Sequence, residues 1–577
     1  MYNLMASQKA SELPGFSVPL NFGPKWGFPC ALRCEELGMD VGRLNVHRDI
    51  VMMRIINKIT EIPDWYNKVC QMRGSKNTPR NNWTHSQQIS DEGALKDVLQ
   101  QTASGENLTP KMSSWIIKEL QWKAQEFQKT GFTFALDPGV FKSHAIPAST
   151  AKALKELSRS LKPDGGKVCP EKRSKIFNPV DPSICPVIYG RTRILPDETI
   201  GVENCLDKGQ GVIIPVPPEE QTLDPALSKY RSEFWKRGKP YSRRFQWLPC
   251  DVAVDERCHI TSYINNLPPW DNRELYEIIE DVLSQTIPLW NLTLAYVQNK
   301  WARIRCDEIE FLEGDYEVVG SHEDACTVIL PEPGDFTPPE VEDPVDLQKF
   351  PQGLQVIVKM TNVELTPEMP SYKGESWCLD GQLNEHICAT AMYCYDSENV
   401  TEHKIAFRQR SLPNEIQQTT YPQYHYEWLE PIYGFTDPWD DTPVTQDLGE
   451  VSTQEGRLIT FPNTLQHSMS PFSLVDPSKP GHRKLLVFYL VDPHVRIISS
   501  ANVPPQRDTW WEEREMVLER ALAKLPVELR DMIRKQADDT IDLEEAKRHR
   551  LNLLKERKKL GEKRDDLFEY GCINLAF

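Results

Sequence analysis

Four segments between about 350 and 505 constrain this chain most: LQVIVKMTNVEL, HICATAMYCYD, GRLITFPNTLQH and KLLVFYLVD. They are short, rich in branched and aromatic side chains, partly alternating, and separated by turn residues. Runs of that kind read as strands of a β-sandwich or barrel of jelly-roll type. The predicted class is α+β. A double-stranded β-helix (jelly-roll) core forms the C-terminal half, with a mixed, largely helical region before it and a charged helical tail after it.

At 577 residues the chain exceeds one ordinary domain. Residues 1–110 read as a loosely organised N-terminal region with one apolar-periodic segment near 49–70. Residues 111–330 read as a mixed α/β domain: SSWIIKELQWKAQEF and STAKALKELSRSL are helical, ITSYINNLPPW is a strand and turn, and RELYEIIEDVLSQTIPLW has apolar residues at helical spacing. Residues 331–349, PEPGDFTPPEVEDPVDLQK, are Pro-rich and acidic and read as a linker. The jelly roll spans 350–505. In the helical segment 506–577, Thr509 and Glu512 form a capping box, and a helix over about 541–560 carries Leu543, Ala546, Leu553 and Leu560 on one face.

Several classes are disfavoured at once. No apolar run of about 18 residues would span a bilayer, and MYNLMASQKASELPG lacks the basic-then-apolar order of a signal peptide, so a cytoplasmic protein is expected. In that setting the 14 cysteines read mostly as buried small hydrophobes, and no C-x-x-C pair marks a zinc site. A net charge of −17 argues against a DNA-coating protein. Two basic stretches remain. Lys229 to Arg244 holds seven Lys/Arg (among them Lys229, Arg231, Lys236, Arg237, Arg243 and Arg244) interleaved with aromatics, and Lys547 to Arg564 holds nine against two Glu.

SWCLDG, Ser376 to Gly381, is similar to the W-H-x-[DE]-G turn of non-haem Fe(II)/2-oxoglutarate oxygenases. That chemistry needs two His and one carboxylate on one face of the metal, and an Arg to pair with the 2-oxoglutarate carboxylate. Asp380, His467 and Arg483 stand in the expected order, but Cys378 occupies the first histidine position. A Cys378/Asp380/His467 set would be an unusual iron site, and His386 reads as an ordinary buried histidine.

SYINNLPPW, IPLWN, GQLNEHICATAMYCYDSENVT, AFRQR, EGRLITFPN, PGHRKLLVFYLVDPH and SSANVPPQ together resemble a large fungal family, formerly of unknown function, many of whose members look like oxygenases. The resemblance is strongest over about 240 to 510. One branch is the arginine-containing cyclodipeptide synthases, which join arginine to a second amino acid as a diketopiperazine, taking both from aminoacyl-tRNAs. Its marker, D-D-x-x-E, matches Asp565, Asp566 and Glu569 in DDLFE. The resemblance implies a fungal secondary-metabolite synthase whose partners are arginyl-tRNA and a second aminoacyl-tRNA, with no cofactor and these three acids as catalytic residues.

The chemistry suits those residues. Aminoacyl esters are already activated, so the absence of a P-loop pattern is consistent with this reading. Each ring-forming attack needs a general base and a stabilised oxyanion, and a carboxylate can also grip a guanidinium. Basic side chains mixed with aromatics would hold RNA phosphates and unpaired bases. An Fe(II)/2-oxoglutarate oxygenase and a catalytically dead jelly-roll binding module remain as alternatives at this stage.

Overall fold

The structure is a computed structural model. It describes residues 12–23, 27–34, 43–71, 108–161, 176–206, 211–222, 241–297, 299, 301–312, 327–411, 416, 419–420, 426–435, 442–511, 526–529 and 540–571. Of the basic-aromatic stretch, Lys229, Arg231, Lys236 and Arg237 lie outside these residues, as does Glu512 of the expected capping box.

Twelve strands build the centre: β1 (Phe132–Leu136), β2 (Val140–Ser143), β3 (Ile176–Val180), β4 (Cys250–Val254), β5 (Cys258–Ile260), β6 (Leu354–Leu365), β7 (Ile387–Glu398), β8 (Lys404–Arg410), β9 (Thr445–Ser452), β10 (Leu458–Pro462), β11 (Leu465–Met469) and β12 (Gly481–Val491). The large sheet runs β1-β2-β10-β7-β12-β6-β4-β5, with β3 also on β6, and a second sheet runs β9-β8-β11. The pairings within both sheets are antiparallel, and the sheets do not close into a barrel among the described residues. The architecture is thus mixed α+β. Strands from 111–330 and from 350–505 share one sheet.

Period-2 geometry explains why the long strands are apolar along most of their length. Leu486, Phe488 and Leu490 face a helical layer that includes Ile279, Leu283 and Trp290. Leu485, Val487, Tyr489 and Val491 face Ile405, Phe407 and Leu448 of the second sheet. Both faces of the large sheet are therefore buried, a condition that removes the polar half of the alternation.

Four helices frame these sheets: α1 (His47–Thr60), α2 (Pro110–Thr130), α3 (Arg273–Tyr296) and α4 (Leu543–Glu569). Thr109 caps α2 by accepting from the Met112 N–H at 3.2 Å, and Gly131 ends it in the left-handed region at φ 72°. Between the two helical stretches expected within 111–160, the chain turns there into the β1–β2 hairpin: FTFAL alternates and Pro138-Gly139 makes the bend. Similarly, in ITSYINNLPPW the strand stops at Ile260 and the rest is turn, with Asn266 at φ 67°. The tail helix runs on through DDLFE. No described helix is long and apolar enough to cross a membrane.

One ion cluster around the buried Asp396 gives a pH test. Burial opposes charge on Asp396, yet His482, Lys155 and Lys484 at 2.9, 2.6 and 2.8 Å hold its carboxyl far below the usual range. A depressed folded-state value contributes stability above the unfolded value near 3.8 and loses it as pH falls further. Asp396→Asn is therefore expected to lower the urea midpoint at pH 7, with the gap to wild type shrinking toward pH 2. A gap that is unchanged across that range would contradict the assignment.

Candidate functional site

The SWCLDG turn is built from the backbone outward. Cys378 and His467 are directly paired, each N–H donating to the other's carbonyl at 3.0 Å, so their side chains share a face. Asn463 clamps the next step: its Oδ1 accepts from the Asp380 N–H at 3.0 Å, and its Nδ2 donates to the Asp380 and Ile387 carbonyls at 2.9 and 3.0 Å. Gly381 turns the chain at φ 78°, and a Cβ there would lie 2.6 Å from Ile387 Cδ1. Glu385, fully buried, accepts from the Trp247 and Gln382 N–H groups and from Arg557.

The turn opens onto a cavity of about 410 Å³ lined by Cys378, Asp380, His467 and Arg483 together with Asp565 of DDLFE. Two groups of residues almost two hundred positions apart in sequence thus meet in one space. His386 does not line it; it is buried, in the left-handed region at φ 48°.

The tail helix α4 brings Asp565 there through three arginines spaced by seven. Arg550 Nε donates to Asp181 at 2.8 Å; Arg557 pairs with Glu385 and stacks 3.8 Å over Trp247; Arg564 donates to the Leu379 and Gly381 carbonyls, each at 3.2 Å. These basic residues are docking contacts rather than a solvated face. Arg244 is exposed and pairs with Glu556 of the same helix at 3.4 Å, and Arg243 is half-buried.

The acids of DDLFE diverge. Asp565 faces the cavity, and its Oδ1 accepts from Gln466 Nε2 at 2.9 Å. Gln466 Oε1 in turn accepts from Arg408 Nε at 2.7 Å, and Arg408 Nη2 reaches Glu569 at 3.3 Å. Asp566 is exposed. Burial raises the Asp565 carboxyl; Arg564 and Arg408 pull it back, Asp566 and Glu569 push it further, and the net shift is upward. Gln466 and Arg408 were not singled out from sequence, although each neighbours a feature that was: Gln466 precedes His467, and Arg408 is the first arginine of AFRQR.

Around His467 Nε2 lie Cys378 Sγ at 3.7 Å and Asp380 Oδ1 at 3.9 Å. Burial opposes charge on this imidazole, but the neighbouring Cys378 and Asp380 win and move it up to about 10. Asp380 is itself held by Thr390 Oγ1, which donates at 2.7 Å. The donors do not suit the iron of an oxygenase. Among the described residues no group of three His, Cys, Asp or Glu has the geometry to hold a metal ion. A ligating imidazole normally donates from its second nitrogen, yet buried Nδ1 of His467 has no partner. Arg483 is buried against Phe472, 5.2 Å from the ring, with Nε and Nη1 unpartnered. A guanidinium in that state is prepared to receive an anionic or carbonyl oxygen.

A cleft where several titratable groups converge is the usual place to look for a functional site, here in an antiparallel α+β protein. Residues 110–514 match the family described as "Protein of unknown function (DUF4246)", and residues 13–73 match its N-terminal domain. The chain belongs to this family. Among curated proteins none matches it. Solved structures that resemble parts of it include two with low identity. A BsmA homologue from Methylobium petroleophilum PM1 is 11% identical, at a TM-score of 0.16, over 25% of this chain and 44% of that one. The Fe(II)/(alpha)ketoglutarate-dependent dioxygenase TqaL is 14% identical, at 0.15, over 28% and 52%. The chain spans about half the length of each, and likenesses this slight carry no argument about activity.

Proposed function

We propose that this protein is a synthase of arginine-containing cyclodipeptides, drawing both amino acids from aminoacyl-tRNAs, with its chemistry in the cavity beneath the SWCLDG turn. The observation that carries the reading is Asp565, a half-buried carboxyl of DDLFE inside that cavity. A carboxyl raised by burial is a better proton acceptor at neutral pH, as deprotonation of an α-ammonium requires. Closure of the cavity by α4 would hold two aminoacyl ends together, the main source of rate in a reaction between preactivated esters.

A second reading, an oxygenase on a double-stranded β-helix, draws on Asp380, His467 and Arg483 lining the same space. Its weakness is the donor set around His467. One experiment separates the two. Purified protein is supplied with charged total tRNA in excess chelator, and cyclo-Arg-Xaa is sought by mass spectrometry, with and without RNase. The synthase gives product that chelator spares and RNase removes. No product from soluble protein sinks it, and chelator-sensitive turnover of 2-oxoglutarate would install the oxygenase in its place.

A further inference from the structure

Of the cysteines Cys30, Cys185, Cys205, Cys250, Cys258, Cys306, Cys378, Cys388 and Cys394, all but Cys306 and Cys378 are buried, and of these two Cys378 lines the cavity beneath the SWCLDG turn. Burial pushes the Cys258 thiol up to about 11 and the Cys394 thiol up to about 12, which keeps those sulfurs protonated and inert. Cys378 is placed differently. Its Sγ stands 3.7 Å from His467 Nε2, and the reciprocal backbone hydrogen bonds between the two residues fix that approach. Asp380 Oδ1 lies 3.9 Å from the same nitrogen, where its charge stabilises an imidazolium. Nucleophile, imidazolium partner and a third charged group are the parts of an activated-thiol site. A separate observation points to a ligand in this space: Arg483, 2% exposed, has two unpartnered nitrogens on the same cavity wall.

We propose that Cys378 carries the first aminoacyl group as a thioester, with His467 as its proton partner. This rests on the synthase reading. Cys378 Sγ, as the thiolate partner of the His467 imidazolium, bonds to the ester carbonyl carbon. The bond from that carbon to the terminal ribose oxygen breaks, and the ribose oxygen takes the proton from His467. The α-amine of the second aminoacyl ester then attacks the thioester. Its displaced proton passes to Asp565 and from there to solvent, the sulfur leaves as thiolate, and His467 regains from solvent the proton it gave to the ribose oxygen. The free α-amine of the dipeptidyl ester finally attacks its own ester carbonyl; the ring closes, the bond from that carbon to the ribose oxygen breaks, and the amine's displaced proton passes to that oxygen as the second tRNA leaves. No oxidant, nucleotide or metal enters the balance.

The test uses the full chain with total tRNA charged with labelled amino acids, quenched in acid early in the reaction. Label is expected on the wild-type protein, released by neutral hydroxylamine as a thioester is. Cys378→Ala should carry none and lose product formation by about a hundredfold or more. Cys378→Ser, close in shape, keeps the fold and should carry its label as an ester that survives neutral hydroxylamine. Product from wild type without any protein-bound label overturns the thioester and leaves the synthase reading intact. Product from Cys378→Ala at the wild-type rate does the same. If wild type yields neither label nor product, the synthase reading falls and the thioester with it.

Discussion

Asp565→Asn is expected to slow cyclodipeptide formation by about 10²- to 10⁴-fold, the usual cost of removing a general base. Asparagine keeps an oxygen that can accept from Gln466 Nε2, now 2.9 Å from Asp565 Oδ1, so the loss would be of proton affinity rather than of a contact. Asp566→Asn should cost far less, because that side chain is exposed and does not line the cavity. Glu569 is already committed to Arg408, so Glu569→Gln should act through the orientation of Gln466 and Asp565. Product measured at matched protein levels decides the order. Equal activity of Asp565→Asn and wild type would remove Asp565 from the chemistry.

The largest expected effect on stability lies elsewhere. Arg303, with 1% of its side chain exposed, pairs with Asp49 at 3.0 Å, Glu119 at 2.8 Å and Asp137 at 2.6 Å. Burial disfavours its charge, but the three carboxylates hold it protonated. Arg303→Met would leave those carboxylates with Lys123, which sits 3.2 Å from Glu119, and Arg43, 3.1 Å from Asp49. Breaking a buried ion network from one side costs about 3–5 kcal/mol. The check is the denaturant midpoint, or the thermal inactivation half-life if unfolding proves irreversible. Arg303→Lys should recover part of the loss, since a single ammonium cannot reproduce the two bonds the guanidinium makes to Glu119 at 2.8 Å each. A change under about 1 kcal/mol, typical of surface pairs, would refute the role.

The long strands were legible because period 2 leaves few choices: LQVIVKMTNVEL and KLLVFYLVD lie within β6 and across the end of β12. The β1–β2 hairpin was not, since FTFAL and VFKS are short and sit between two strongly periodic helices. Asp380, His467 and Arg483 could be picked out by motif order along the strands. Their meeting with Asp565 could not, because local pattern says nothing about where a tail packs. One signal was present. Ala546, Arg550, Leu553, Arg557, Leu560 and Arg564 alternate by steps of four and three, so the arginines share the face of the apolar residues. A basic residue on the apolar face of a helix has a buried partner more often than a solvated one.

That spacing makes α4 a ruler. Arg550 and Asp565 are 15 residues apart, about 22 Å along a helix at 1.5 Å per residue. A slip of one residue would rotate all three arginines and the acid by about 100° together, since 3.6 residues make a turn. The position of the carboxylate is therefore set in part outside the cavity, at Asp181, and in part behind its wall, at Glu385. An alteration at Asp181 would act as a change of alignment, moving the α4 side of the cavity wall without replacing any residue in it.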